Sequence, residues 1–205
     1  MPRSPYASQV FINCPFDRPY DALFDALIFA VLDCGFYPRC ALEIEDAAEA
    51  RIEKIYRIVK EAKFGIHDIS RIELDLDTGL PRFNMPLELG VFLGARRFGD
   101  RQQRMKSCLI LDTELHRFQS FISDIGGQDI KAHRNDPKVV IALVRGWLVA
   151  GSDRRTIPGG QRIWRRYQQY RAALPDLCRE AHLEIDEMTY VDRLNFAAEW
   201  LRQVG

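Results

Sequence analysis

The chain has 205 residues and a mass of 23.7 kDa, which favours one domain with an appendage and excludes a large multi-domain assembly. With 47% hydrophobic and 28% charged residues, it has enough apolar material for a core and does not have the composition of a disordered chain. Basic residues (Lys and Arg) and acidic residues number 29 each, which excludes a global charge that would attract nucleic acid or anionic lipid.

Predicted strands and helices alternate along residues 1–150. Short β-prone apolar runs predict the strands, and apolar residues at three-and-four spacing predict amphipathic helices. In chain order the predicted elements are strand 9–13, helix 20–34, strand 36–41, helix 50–62, strand 64–69, helix 86–97, strand 107–112, a short strand 128–132 and helix 137–150. This alternation predicts a flavodoxin-like, three-layer α/β/α fold with a parallel sheet of four to five strands.

A long connection separates the third predicted strand from the helix that follows it. Residues 72–83 exceed the roughly 2–6 residues that are usual in an α/β unit. Because excess length of this kind is often functional, we predict a binding loop there.

The C-terminal quarter differs in kind. Residues 151–160 are rich in Gly, Ser and Pro and predict a linker, and helices are predicted at 161–173 and 187–203 without a strand between them. We therefore predict an α/β domain at 1–150 and a helical extension at 151–205.

Charge and aromatic content suggest a role for this extension. Arginines precede Pro175 and acids follow it, which favours pairing within a helical hairpin or with a second copy or another protein. Six aromatic residues supply apolar contact area for such an interface: Trp164, Tyr167, Tyr170, Tyr190, Phe196 and Trp200. A hairpin that only caps the α/β core is the alternative, and nucleic-acid binding through the arginines of 154–166 is less favoured.

Location and redox state follow from the apolar runs and the cysteines. The longest apolar run, residues 26–32, is far below the roughly 20 residues that span a bilayer, so we expect no membrane partner. Residues 1–9 contain no apolar stretch typical of a secretion signal, and we expect a cytoplasmic protein. The five cysteines form no C-x-x-C pair, so we expect reduced, mostly buried thiols and no metal site.

Polar residues collect where the predicted strands end. In open parallel sheets, ligands bind in the crevice at the carboxyl ends of the strands. The candidate substrate-binding residues at these ends are Asn13, Phe16, Asp17, Arg39, Ser70, Arg71, Asn84 and Met85. Two carboxylates join them: Asp68 ends the third strand, and Glu88 lies in Pro-Leu-Glu-Leu-Gly, which we place in a first helical turn where the helix N-terminus stabilises its charge. We expect both carboxylates to converge on one pocket with Asn13, Arg39, Ser70 and Asn84.

Several of these motifs resemble known families. Val10-Phe11-Ile12-Asn13, Gly35-Phe36, Asp68-Ile69-Ser70 and a helix entered with a glutamate followed by Leu-Gly resemble the TIR domain. The order of Asp68, Pro-Leu-Glu-Leu-Gly and the strand Ser-Cys-Leu-Ile-Leu-Asp is equally similar to nucleoside 2-deoxyribosyltransferases. The resemblance covers residues 9–148. The chain departs from most TIR domains after the first strand, where it has Asn-Cys-Pro-Phe-Asp, and before the glutamate, where it has Asn-Met-Pro.

The resemblance implies N-glycosidic chemistry on NAD or a related nucleotide, which would be the substrate and not a cofactor. Such cleavage passes through an oxocarbenium-like state that one carboxylate can stabilise. Glu88 would be the nucleophile or the anchor of the ribose hydroxyls. Asp68 would be the acid or a hydroxyl ligand, with His67 a poorer candidate.

The resemblance further implies a regulated effector of bacterial antiviral defence, and it leaves hydrolysis and deoxyribosyl transfer both open. A non-catalytic nucleotide sensor or adaptor that acts by assembly is the alternative function. Each carboxylate also has a purely structural interpretation, Glu88 as an acid that balances the helix dipole and Asp68 as a turn residue.

Overall fold

The computed structural model describes residues 5–43, 46, 48–72, 74, 79–81, 83–154 and 156–204. The strands are β1 Gln9–Asn13, β2 Tyr37–Arg39, β3 Phe64–Asp68, β4 Ser107–Asp112 and β5 Lys131–Ala132. The helices are α1 Asp21–Asp33, α2 Arg51–Glu61, α3 Asn84–Phe98, α4 Pro137–Gly151, α5 Gly160–Glu180 and α6 Tyr190–Val204. Short 3₁₀ turns, among them Arg18–Tyr20 before α1, join these elements.

All five strands are parallel and lie in the order β2-β1-β3-β4-β5. This confirms the predicted three-layer α/β/α fold. The strand order reverses between β1 and β3, because β2 lies on one side of β1 and the later strands on the other. A reversal of this kind opens a crevice at the carboxyl ends of the two central strands.

The two faces of the sheet carry different helices. Alternate residues of a strand point to opposite faces. Val10, Ile12 and Ile66 pack in one apolar cluster with α1 and α4, whereas Phe11 packs with α2 and α3. Consecutive side chains at the end of a strand therefore face different pairs of helices.

The C-terminal helices cover the outer side of α1. Phe29 is fully buried and its ring meets those of Tyr167, Tyr170 and Trp200 at centroid distances of 5.3–6.0 Å. Four of the six aromatic residues that we assigned to an interface are thus buried in the core: Tyr167, Tyr170, Tyr190 and Trp200. The predicted extension and the α/β region share one apolar cluster.

Arginines of α5 and α6 pair with acids of α1. Arg166 lies 3.1 Å from Asp33, and Arg193 and Arg171 both bind Asp25. These pairs differ from the expected pairing with the acids after Pro175. The charges of α5 and α6 therefore orient them on α1.

Several element boundaries differ from expectation, with β2, β5 and α6 among them, and for two helices the physical reason is clear. Helix α5 runs through Pro175 to Glu180, since the buried contacts of Leu174 and Cys178 outweigh the backbone hydrogen bond that a proline removes. Helix α3 begins at Asn84, so Pro86 lies in its first turn, where no N–H is needed.

The predicted binding loop 72–83 lies partly outside the described residues. Leu74 and Pro81 form an isolated antiparallel bridge within it. In the part of the chain that the structure describes, no helix is both long and apolar enough to cross a membrane.

Candidate functional site

Asn13 ties the end of β1 to the start of α3. Its side-chain amide donates to the backbone oxygen of Met85 at 2.9 Å and lies 3.1 Å from Nδ1 of His67. His67 is fully buried, and burial, together with Lys106, lowers its pKa to about 3. The ring is therefore neutral at physiological pH, which argues against His67 as a general acid.

Asp68 lies in a buried polar cluster on the α1 and α4 side of the sheet. The Tyr20 hydroxyl donates to its Oδ2 at 2.5 Å, and the backbone N–H of Ser70 donates to its Oδ1 at 2.9 Å. His133 Nε2 lies 3.1 Å from Oδ2, within ion-pair range but outside hydrogen-bond geometry. Burial alone would raise the pKa of Asp68, but His133, Ser70 and Tyr20 outweigh it and hold that pKa below its usual value.

Glu88 has the opposite environment. Only 4% of the residue is exposed, and no hydrogen bond or ion pair joins its carboxylate to the described part of the chain. Burial raises its pKa to about 7, and the nearby Arg51 only partly offsets this. Since α3 begins at Asn84, Glu88 follows the first turn of the helix, and our prediction that it lies within that turn is wrong. The helix N-terminus does not dominate its electrostatics.

The two carboxylates do not form a pair. Asp68 faces Tyr20 and His133 on one side of the sheet, whereas Glu88 belongs to α3 on the other. Both carboxylates act on Cys14, which follows β1: burial raises the pKa of its thiol, and Asp68 and Glu88 raise it further. The shared pocket that we expected for the two carboxylates stays a prediction.

The other predicted site residues lie around the carboxyl ends of β1 and β3. Arg71 binds Asp17 at 3.1 Å, and Asp17 also accepts from the backbone N–H of Tyr20. Phe16 is 37% exposed and packs its edge against Phe24. Ser70 is buried just after β3, Met85 is buried in the first turn of α3, and Asn84 is exposed at the start of that helix.

Arg39 does not join this group. Although it ends β2, its guanidinium turns back along the strand to Gln9 and pairs with Glu43 and Glu61. With two carboxylates already bound, Arg39 is neutralised within the protein and stabilises the β2 edge of the sheet.

Sequence reasoning missed Tyr20 and His133. His133 directly follows β5, the shortest strand. Its position at a strand end is the signal in the sequence that could have identified it. Tyr20 had no such signal, because it belongs to the turn before α1 and reaches Asp68 only through the tertiary fold.

Among the described residues, no group of three His, Cys, Asp or Glu side chains is arranged to hold a metal ion. Comparison of the chain with protein families, curated proteins and solved structures finds no match. The resemblance to TIR domains and deoxyribosyltransferases therefore stays a prediction.

Proposed function

We propose that the protein is an N-glycosidase that cleaves the base–ribosyl bond of NAD or a related nucleotide, acting as a regulated effector. One observation carries the proposal: Glu88 is a buried carboxylate without a partner in the described chain, and it follows the first turn of α3. That turn contacts Asn13 at the end of β1, the strand beside which the strand order reverses to form a cleft. Perturbed carboxylates in such clefts are typical of catalytic groups.

The proposed reaction needs one carboxylate close to the anomeric carbon. The bond between C1′ and the base nitrogen breaks, its electron pair leaves with the base, and water adds to C1′ with loss of a proton. An ionised Glu88 stabilises the positive charge that develops on the sugar ring. Asp68 accepts from Tyr20 and Ser70 and keeps further acceptor capacity, so its role as acid or hydroxyl ligand stays a prediction, and the scheme assigns the charge stabilisation to Glu88 alone.

The pKa of Glu88 separates two substrate classes. Nicotinamide in NAD is already cationic and leaves as a neutral base, so only the ionised form of Glu88 helps. The rate should then rise with pH through about 7, the pKa of Glu88. A purine leaving group needs a proton, and if Glu88 supplies it, the rate should fall over the same range.

The test is base release from NAD, NADP and a panel of nucleosides, followed by chromatography. Glu88→Gln keeps the shape and removes the charge, so we expect base release to fall about 100- to 1,000-fold. Glu53→Gln, an exposed residue of α2, is the matched control and should keep full activity. Equal rates for the Glu88 variant and the parent would end the catalytic assignment.

One feature favours the nucleotide-sensor alternative. Tyr20 joins Asp68 at the strand ends to the start of α1, and α1 carries the C-terminal helices on its outer side. A ligand that displaced Tyr20 would therefore act directly on the helix that holds α5 and α6. Nucleotide binding without base release, together with a change of oligomeric state, would favour the sensor.

A further inference from the structure

The outer edge of the sheet is incomplete beside β4. This strand has six residues, but β5 pairs only with its last two, Leu111 with Lys131 and Asp112 with Ala132. On the other side, β3 pairs along almost all of β4. The odd-numbered residues Ser107 and Leu111 bond towards β3, so the even-numbered residues of β4 point outward. The Cys108 N–H, the Cys108 C=O and the Ile110 N–H thus have no strand partner in the described chain.

A cavity of about 460 Å³ lies at this open edge. Three consecutive residues of β4, Cys108, Leu109 and Ile110, line it. Because consecutive strand residues point to opposite faces, a cavity that touches all three lies beside the strand, in the plane of the sheet. Gln128 and Asp129, just before β5, form the opposite wall. We call this cavity the β4 notch.

Helix α4 leaves room along the β4 notch. Ala142, Gly146 and Ala150 line it at intervals of four residues, so the helix presents a strip of small side chains to the cavity. A Cβ added at Gly146 would meet no atom within 4 Å. Trp147 is held in place by a 2.9 Å hydrogen bond from its Nε1 to Ser107 Oγ. The wall is therefore preformed.

We propose that the β4 notch binds a short extended peptide segment of a partner protein, which adds to the sheet as a strand beside β4. Strand addition uses the free backbone N–H and C=O groups of an open edge for affinity and side-chain pockets for specificity. The apolar lining from Leu109, Leu143 and Trp147 favours an uncharged segment with apolar side chains at alternate positions. The stretch of β4 before its pairing with β5, residues 107–110, is about 13 Å long, and the segment would bond to Cys108 and Ile110.

The shape of the β4 notch argues against a second copy as the occupant. Two copies that meet edge to edge would each present a strand recessed between α4 and residues 128–131. Neither recessed strand could reach the other, whereas a thin extended segment can enter. The Asp129–Lys131 ion pair at 2.7 Å adds charge beside the opening, which discourages open edges from aggregating.

The test uses the intact protein and one probe, an acetylated and amidated peptide of sequence Val-Thr-Val-Thr-Val. Binding is followed by amide NMR shifts and by hydrogen exchange. We expect shifts confined to β4 and the middle of α4, and at least tenfold slower exchange of the outward amides of Cys108 and Ile110. A peptide N-methylated at alternate residues cannot donate from its pairing edge and should lose at least tenfold in affinity.

Gly146→Leu fills the β4 notch from the helix side and should reduce peptide affinity at least tenfold. Gly94→Leu is the matched control, since Gly94 is also a helical glycine with open space around its Cβ but belongs to α3. Because glycine is a poor helix former, neither substitution should unfold the protein, and melting curves verify this.

Three results would overturn the proposal. They are no binding at 2 mM peptide, equal binding of the N-methylated peptide, and protection of the outward amides in the free protein. Concentration-dependent dimers that Gly146→Leu abolishes would assign the edge to self-association instead. Glu88→Gln should leave peptide binding unchanged, so the fate of this proposal is independent of the proposed glycosidase activity.

Discussion

Replacing Glu88 by glutamine should stabilise the protein, and by an amount that depends on pH. Burial raises the pKa of Glu88 from 4.5 to about 7, a shift that corresponds to about 3 kcal/mol of penalty against the charged form. Below pH 4.5 both folded and unfolded states hold the proton, so the penalty is absent. Between pH 4.5 and 7 only the folded state holds it, and stability falls as pH rises. Above pH 7 the full penalty applies.

Urea unfolding from pH 4 to pH 8 measures this effect. The free energy of unfolding of Glu88→Gln minus that of the parent should grow by about 3 kcal/mol across this range. Any fixed cost of burying the amide is the same at every pH and cancels from this change. Glu53→Gln, which alters an exposed carboxylate, should show a flat difference. A flat difference for Glu88→Gln as well would refute the burial argument, whatever its catalytic role.

Two further predictions concern the core. Burial lowers the pKa of His67 to about 3, so protonation of the unfolded state should lower the free energy of unfolding as pH falls from 6.5 towards 3, by about 3 kcal/mol at pH 4. His67→Leu should remove that part of the acid sensitivity in urea titrations, and an unchanged dependence of the free energy of unfolding on pH would contradict it. Phe29→Ala should lower the free energy of unfolding by about 3–5 kcal/mol, with a single unfolding transition. Phe98→Ala, at a residue that is 84% exposed, should change it by less than about 0.5 kcal/mol. A separate early transition for the C-terminal helices would contradict the shared core.

Local patterns sufficed for the α/β layers. The bounds of β1 and β4 match the prediction, because short β-prone runs buried on both faces are bounded by proline, charge or turn residues. The strand-end rule also led to Glu88 and Asp68. These features depend on residues that are neighbours in sequence or on the topology that alternation imposes.

The properties of the site depended on tertiary contacts that no local pattern reports. The motif around Glu88 suggested a charge stabilised by a helix N-terminus, but burial without a hydrogen-bond partner decides its pKa. Arg39 ends its strand as predicted, yet two glutamates draw its side chain away from the crevice. The faces that Asp68 and Glu88 occupy follow from strand alternation and helix placement together, and only the complete fold gives both.

Helix α1 contained the one local sign that a further layer existed. Its residues 26–31 are apolar without a break and all are buried, and a helix that is apolar all round must be covered on every side. The sheet and α4 cover one side, and α5 and α6 cover the other through Tyr167, Tyr170 and Trp200. Four of the six aromatic residues, together with Arg166, Arg171 and Arg193, therefore complete the fold and are not free to bind a partner. The open edge of β4, where backbone groups lack a strand partner, is the better place to look for one.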